Sequence, residues 1–364
     1  MSSTANQKDG MNYAPEGVKK KVVVNKGEFL FAATALDHGH IGGMVNALTA
    51  AGGQCVYVYD PDPKKVENFL KNRPDTKPAA SLDQILEDKS IHMVAAAAIP
   101  CLRGPLGIRV MEAGKDYFTD KCPFTSLSQL ADAREVVKRT GRKYMVYFSE
   151  RLHSEGSIYA GQLVKAGAIG RVVQVLGLGP HRLNKPSRPD WFFKKEQYGG
   201  ILCDIGSHQI EQFLFYADVK SAKVLHSKVG NFNNPETPEL EDFGDATLIG
   251  DNGATNYFRV DWLTPDAMPT WGDGRLIIIG TEGTIEVRKN MNHSHGEGGN
   301  HVYLTNQTEC TYTQVSGKVG CPFFGELILD CLNRTENAMT QEHAFLAAQM
   351  CLETQAAAEV ITVK

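Results

Sequence analysis

From about residue 28 to residue 148 the chain alternates short apolar runs with amphipathic stretches, so its hydrophobic period switches repeatedly between strand and helix. Glu28 to Leu36 (EFLFAATAL) predicts a buried strand. The glycine-containing turn Asp37 to Gly42 then leads into a helix predicted over Gly43 to Ala51. Cys55 to Tyr59 (CVYVY) predicts a second strand ending at Asp60, with helices expected over Lys64 to Asn72 and Ser81 to Glu87. Ile91 to Ala98 reads as a strand running into Pro100, Gly104 to Ala113 as a helix, and Asp116 to Thr119 as a short strand. A helix over Ser126 to Thr140 and a strand over Tyr144 to Phe148 complete the series. Strands alternating with helices of this length make βαβ units, and hence a doubly wound parallel sheet.

The pattern changes after about residue 151. A helix predicted over Ser154 to Ala166 leads to a strand at Val172 to Leu178, then to an irregular aromatic and basic stretch, His181 to Tyr198. From there to Val315 the chain reads mainly as strands with glycine and asparagine turns. They fall at Lys223 to Gly230, Asp245 to Gly250, Thr255 to Trp262, Arg275 to Gly280, Thr284 to Arg288 and His301 to Leu304. That spacing predicts an α+β unit with a mainly antiparallel sheet, closed by helices over Phe323 to Leu332 and Gln341 to Ala358. The expected division is an extension at 1–27, a first domain at 28–150, a second at 151–340, and a terminal helix at 341–364 packing back on the protein.

Composition narrows the class. A length of 364 residues suits two domains, and 42% hydrophobic with 22% charged residues suits a water-soluble globular chain. A net charge of −4 gives no basic footprint for nucleic acid and no reason to expect a membrane surface. The first twenty-one residues, MSSTANQKDGMNYAPEGVKKK, are polar and read as an extension rather than a targeting segment. The eight cysteines form no Cys-x-x-Cys pair and sit in apolar or helical segments, so reduced thiols in a cytoplasmic enzyme are expected.

Two stretches carry chemistry. Asp37-His38-Gly39-His40-Ile41-Gly42 stands where a dinucleotide fold places Gly-x-Gly-x-x-Gly against a pyrophosphate. Gly39 serves the close backbone approach and Gly42 the helix–strand packing, while Asp37 replaces the first glycine and has to turn away from phosphate. Asp60 ends the second strand, where an acid bonds the adenosine ribose and repels a 2′-phosphate, so NAD is favoured over NADP. The second stretch is Gly199 to His208 (GGILCDIGSH), in which Asp204 and His208 stand at helical i, i+4 spacing, about 5–6 Å apart at Cβ. With Lys121 they make a proton-transfer set, since neutral imidazole takes a proton near pH 7. Glu211 shares their face, opposite an apolar stripe of Ile210, Phe213, Leu214 and Ala217. Arg182, Asn184, Arg188 and Asp190 in the irregular stretch suit hydroxyl groups, and Trp191 or Tyr198 can stack on a sugar face. Arg151 and His153 stand past the domain junction, either reaching the cleft or, for Arg151, forming a hinge salt bridge. The run His293 to His301 reads as a mobile loop, not a metal site.

The order of these parts resembles the Gfo/Idh/MocA oxidoreductase family, over nearly the whole chain from about residue 28. The resemblance rests on Gly39 to Gly42, Asp60, Ile99-Pro100, the segment Gly114 to Pro123 (GKDYFTDKCP), Phe148 to Arg151, Gly167 to Gly170 and Gly200 to His208. Lys121 matches the lysine of the family's acid-lysine-proline sequence, with Cys122 inserted before Pro123. The resemblance implies a Rossmann domain plus a domain with a large open sheet, assembled as dimers or tetramers. It implies a cofactor site formed by His38, Gly39, His40, Ile41, Asp60, Ala98, Pro100, Asp120 and Lys121, and no metal. It also implies oxidation of a secondary hydroxyl on a sugar, glycoside or polyol, with C3 of a glucoside favoured. In that reaction His208 takes the hydroxyl proton, Lys121 bonds the same oxygen, and Asp204 orients His208 or the substrate. Two other functions share the fold: an NAD-dependent glycosidase acting by transient oxidation, and a non-catalytic sugar sensor, the latter disfavoured by the retained Lys121, Asp204 and His208.

Overall fold

A computed structural model describes residues 9–11, 17–292, 294–295 and 298–362 of the chain. Its first sheet is parallel throughout. It contains β1 (Leu30–Thr34), β2 (Gln54–Tyr59), β3 (Lys77–Pro78), β4 (Met93–Ala96), β5 (Asp116–Asp120) and β6 (Tyr144–Tyr147), in the order 3-2-1-4-5-6. The connecting helices are α1 (His40–Ala50), α2 (Pro63–Leu70), α3 (Leu82–Glu87), α4 (Pro100–Glu112) and α5 (Leu127–Thr140). Capping side chains start several of them. Asp62 accepts from the Lys64 amide, Ser81 from Gln84 and Ser126 from Gln129, while Gly141 in the left-handed region ends α5. The strands are buried on both faces, as a doubly wound sheet requires, with Phe31, Ala32, Ala33, Val94, Ala95, Phe118 and Val146 fully enclosed. In this strand order the chain reverses direction across the sheet between β1 and β4, so a crevice opens at their C-terminal ends.

Two short helices, α6 (Ser149–Leu152) and α7 (Glu155–Lys165), lead into the second sheet. That sheet contains β7 (Val172–Pro180), β8 (Ala222–Gly230), β9 (Phe243–Gly250), β10 (Thr255–Asp261), β11 (Arg275–Gly280), β12 (Gly283–Arg288), β13 (His301–Asn306), β14 (Cys310–Gln314) and β15 (Glu359–Ile361). The order is 14-13-12-11-7-10-9-8-15, antiparallel except for the pairs β7–β10 and β8–β15. Helices α8 (Lys195–Tyr198), α9 (Ile201–Asp204), α10 (Gly206–Tyr216), α11 (Phe323–Asn333) and α12 (Gln341–Ala356) complete the chain, with α9, α10 and α12 packed together. Observed ends lie within a few residues of those read from the pattern. The two-residue β3, the largely exposed β14 and the edge strand β15 are additional.

The second sheet sets the height of the helix that carries Asp204 and His208. Gly177 and Gly179 of β7 face α10, and a Cβ on either would run into Gln209. Their missing side chains let α10 lie close to the sheet. Ahead of α9, Gly199 (φ +89°) and Gly200 (φ +93°) take backbone conformations that L side chains avoid, and a Cβ on Gly200 would strike Gln355. The paired glycines thus turn the chain sharply into the helix at this point.

Candidate active site

The C-terminal ends of the first sheet and the α9–α10 corner of the second enclose a cavity of about 250 Å³, the size of a small molecule's site. Lys121, from the end of β5, and Asp204, from the end of α9, meet there as a buried ion pair. His208, 2% exposed, borders the same space one helical turn beyond Asp204. The first residue after β5 and the first turn of α10 are far apart in sequence, and only the packing of the two sheets brings them together.

Asp204 Oδ2, His208 Nδ1, Glu150 Oε1 and Trp262 Nε1, all buried in this wall, have no hydrogen-bond partner among the described residues. Buried polar atoms are normally paired, so orphans clustered beside one cavity mark places where a polar ligand completes the bonding. The charge states follow from burial. It pushes the His208 ring down to about 3, more than the attraction of Glu150 restores, so the imidazole is neutral at pH 7. Burial raises the Asp204 carboxyl, but the Lys121 ammonium, then His181 and Arg188, hold it below the usual carboxylate range. Asp204 therefore bonds Lys121 rather than His208.

A second buried set stands behind Lys121. The Asp120 carboxylate receives Lys121 N at 2.9 Å, Arg103 Nη2 at 3.2 Å and His40 Nδ1 at 2.9 Å, while His38 Nδ1 lies 3.3 Å away and accepts the His40 amide. Arg103 also donates to the carbonyls of Lys121, Cys122 and Ala98, clamping the end of β5. The ligand atoms of His38, His40 and Asp120 lie within 4.8 Å of one another, and hydrogen bonds already engage both Asp120 oxygens. Asp120 itself does not border the cavity; His38 and His40 do. The Lys121–Cys122 peptide bond is cis, one residue ahead of the Cys122–Pro123 bond.

The first-sheet crevice suits a dinucleotide. Helix α1 starts beneath it with no acid in its first turn and no capping side chain on Gly39, leaving a positive helix end toward a pyrophosphate. Asp37 is turned away, paired with Lys65 Nζ at 2.6 Å, so the replaced glycine puts no free carboxylate on the phosphate path. Gly39 has ordinary helical angles. A Cβ at Gly42 would meet only the Arg73 guanidinium at 3.7 Å, so close strand packing does not require that glycine. Asp60 sits at the end of β2 and accepts from the amides of Leu36 and Asp62. Ala98 and Pro100 form the turn into α4, with the Ala98 carbonyl taken by Arg103.

The structure separates the residues that the sequence grouped with a substrate. His153 borders the cavity, bonded to the Tyr147 hydroxyl at 2.5 Å, and Arg188 borders it too. Arg151 does not. Its guanidinium grips Glu211 (Nε at 2.7 Å) and lies over Phe215 at 3.9 Å, which is the hinge salt bridge, and it removes Glu211 from the cleft as well. Arg182 is turned to the carbonyls of Pro265 and Met268, and Asn184 is exposed on the left-handed turn before Lys185. The Tyr198 hydroxyl is bonded to the backbone of Glu239 and Glu241, and Trp191 points outside the cavity, whose aromatic wall is Phe192, Trp262 and Trp271. Of the run His293 to His301, residues 293, 296 and 297 lie outside the described residues; His301 is buried and bonded to Tyr312 and to the Gly298 carbonyl.

Sequence reasoning missed the Glu150–Lys289 pair (2.6 Å), with Lys289 also donating to Gln212 at 2.9 Å and Gln209 donating to Glu150 at 2.9 Å. Burial pushes the Glu150 carboxyl up, yet Lys289, His208 and His181 hold it well below its usual range. It also missed His181 as a wall residue, along with Gly10, Met11 and Val18 of the N-terminal segment. The one signal available was the place of Glu150 inside the Phe148 to Arg151 segment.

A parallel sheet with its switch-point crevice, joined to a polar cavity holding Lys121, Asp204 and His208, defines a nicotinamide-dependent oxidoreductase. Residues 38–148 match the profile of the oxidoreductase family with an NAD-binding Rossmann fold, and residues 158–286 match the GFO/IDH/MocA C-terminal domain. The chain belongs to the Gfo/Idh/MocA family. Among curated relatives, it is 28% identical over 251 residues to the scyllo-inositol 2-dehydrogenase (NAD(+)) of Bacillus subtilis, covering 67% of this chain and 68% of that one. It is 24% identical over 149 residues to a D-xylose dehydrogenase of Paenarthrobacter nicotinovorans, 40% of this chain and 38% of that one. A crystal structure from Erwinia carotovora atroseptica SCRI1043 is 47% identical, with a TM-score of 0.89 over 92% of this chain and 100% of that one. Levoglucosan dehydrogenase with NADH and L-sorbose shares the fold at 16% identity and a TM-score of 0.75.

Proposed function

We propose that this protein oxidises a secondary hydroxyl of a sugar, glycoside or polyol by hydride transfer to NAD, with C3 of a glucoside the first position to test. The observation that carries the proposal is the set of buried atoms on Asp204, His208 and Glu150 that have no hydrogen-bond partner among the described residues, beside the Lys121 ammonium. A polyhydroxylated ring supplies both donors and acceptors to such a set. The relatives acting on scyllo-inositol and D-xylose support the same substrate class.

The chain's own residues divide the work. The nicotinamide of bound NAD supplies the hydride acceptor, and His38, Gly39, His40, Ile41, Asp60, Ala98, Pro100 and the end of β5 form the crevice that would hold the dinucleotide. Lys121 donates to the reacting oxygen and stabilises the negative charge that develops there. His208, kept neutral by burial, accepts the hydroxyl proton. Asp204 fixes the Lys121 ammonium and offers its second oxygen to a neighbouring hydroxyl. Asp120, held by three donors, positions the lysine's backbone. The carboxylate of Asp60 at the ribose end supports NAD over NADP, because it repels a 2′-phosphate and no arginine follows it.

The test is to add NAD and a panel of glucosides, free sugars and inositols, and to follow the reduced-nicotinamide absorbance. A band appearing with one substrate group, and growing with protein concentration, is the expected result. No band with any compound, despite bound nucleotide, refutes the dehydrogenase reading.

A further inference from the structure

Among the described residues, five charged side chains border the cavity besides Lys121. Glu150 and Lys289 pair with each other, Asp204 pairs with Lys121, and Glu155 is spent on the backbone amides of Gly317, Val319 and Gly320. The fifth is Arg188, 8% exposed, which has no carboxylate within 4.0 Å among the described residues. Its charge is felt by Asp204 and by Asp9 of the N-terminal segment, but neither forms an ion pair with it.

The rest of its surroundings hold the guanidinium still rather than neutralise it. Nε donates to the Leu183 carbonyl at 2.7 Å and Nη2 to the Arg182 carbonyl at 3.3 Å. The group lies 4.7 Å from the Phe192 ring centre and 4.9 Å from that of Trp262, both of which line the cavity. A guanidinium carries five N–H donors in a rigid fork and stays protonated inside proteins. Nη1 donates to nothing among the described residues, so the fork keeps free donors at the cavity wall. Aromatic stacking lowers the cost of burying the cation, and a bound anion lowers it far more.

We propose that Arg188 is a specificity residue for an anionic substrate: it receives a carboxylate carried by the sugar or polyol, as in a uronic or aldonic acid. This deepens, and rests on, the reading of the cavity as a carbohydrate site. A single carboxylate fits better than a phosphate dianion, because Lys121 and Lys289 already have partners and only one fork is open. The carboxylate anchors the ring, and the reacting hydroxyl is then presented to Lys121 and His208.

Binding is read without turnover, from the fluorescence of Trp262 and Trp271 in NAD-saturated protein. The titrants are glucuronate and galacturonate, the matching neutral sugars, and glucose 6-phosphate. In the wild type a uronate is expected to bind about tenfold or more tightly than its neutral counterpart, the effect of one charged hydrogen-bonded contact. Arg188→Gln removes that preference, so that a uronate and its neutral counterpart bind with equal affinity. Arg188→Lys keeps the charge without the fork and retains part of the preference, which covers the case in which the glutamine variant does not fold. Equal affinities, tighter binding of the phosphate, no binding by any compound, or a preference intact in Arg188→Gln each overturn the proposal. Uronate binding with no NAD reduction by any substrate would leave the anion subsite standing and refute the dehydrogenase reading. Turnover of neutral sugars alone would do the reverse.

Discussion

On one side of Lys121, the Asp120 carboxylate accepts from the Lys121 amide, Arg103 and His40, and every bond lies at 3.2 Å or less. On the other side, among the described residues, Asp204 has a single side-chain partner, its second oxygen has none, and neither has His208 Nδ1. Both regions are buried, polar and next to the same lysine. Completed bonding makes the first a scaffold that sets where the lysine backbone sits. Incomplete bonding makes the second a receptor, because unpaired buried atoms are costly unless a ligand satisfies them. The difference shows how a burial pattern alone can separate positioning residues from reacting ones.

The largest expected effect breaks the receptor side at its charge. Lys121→Met should lower kcat by about a thousandfold, as removal of a donor to a developing oxyanion does, with the far-ultraviolet spectrum unchanged. Full activity in that variant would remove the lysine from the chemistry. The scaffold side should answer in stability instead. Asp120→Asn leaves the buried Arg103 uncompensated, and urea unfolding is expected to show a loss of roughly 3–5 kcal/mol. Asp204→Asn, with one partner at a cavity wall rather than three donors in the interior, should lose about 2 kcal/mol less. Equal losses would collapse the distinction between the two sides.

A pH series sharpens it further. Burial pushes His208 and His153 down to about 3 and His181 to about 4, and takes His38 well below its ordinary value. In the unfolded chain these rings take up protons near their ordinary pKa of about 6.5, while the folded protein excludes them. Their contribution to stability is therefore complete above about pH 6.5 and declines as pH falls toward the folded values. Each ring costs about 1.4 kcal/mol per pH unit over that interval. Tm measured from neutral to mildly acidic pH should fall steeply, and His153→Gln should make the slope shallower. A flat profile would mean that the rings are not buried neutral.

The smallest effect concerns the cofactor. Asp60→Ser should lower the NAD-over-NADP ratio of kcat/KM by about tenfold, read from initial rates with each nucleotide. An unchanged ratio would assign Asp60 only to the loop amides of Leu36 and Asp62.

Much of this was legible in the sequence where the signal is local. Buried parallel strands are continuous apolar runs, so β1, β2 and β4 appeared within a few residues of their true ends, and α5 and α12 were marked by their periodicity. The strands missed were those without a buried face to pattern: Lys77–Pro78 is two residues long, and Cys310–Gln314 is largely exposed. Lys121, Asp204 and His208 were legible because each sits in a short motif. The pairing of Glu150 with Lys289 was not, since it spans 139 residues and depends on how β12 ends against α6. In the irregular stretch His181 to Tyr198, composition named groups suited to a sugar without saying which way they face. Phe192 and Arg188 turn inward, whereas Trp191, Asn184 and Tyr198 do not border the cavity. Arg151 shows the same limit: its partner Glu211 is set by tertiary packing, which no spacing rule reports.

The most direct test compares the wild type with His208→Ala in one assay, the rate at which the reduced-nicotinamide band grows with the substrate that the panel selects. If the neutral imidazole takes the hydroxyl proton, the variant should be slower by about a hundredfold to ten-thousandfold with its fold intact. A His208→Ala protein that oxidises the substrate at the native rate would contradict the account.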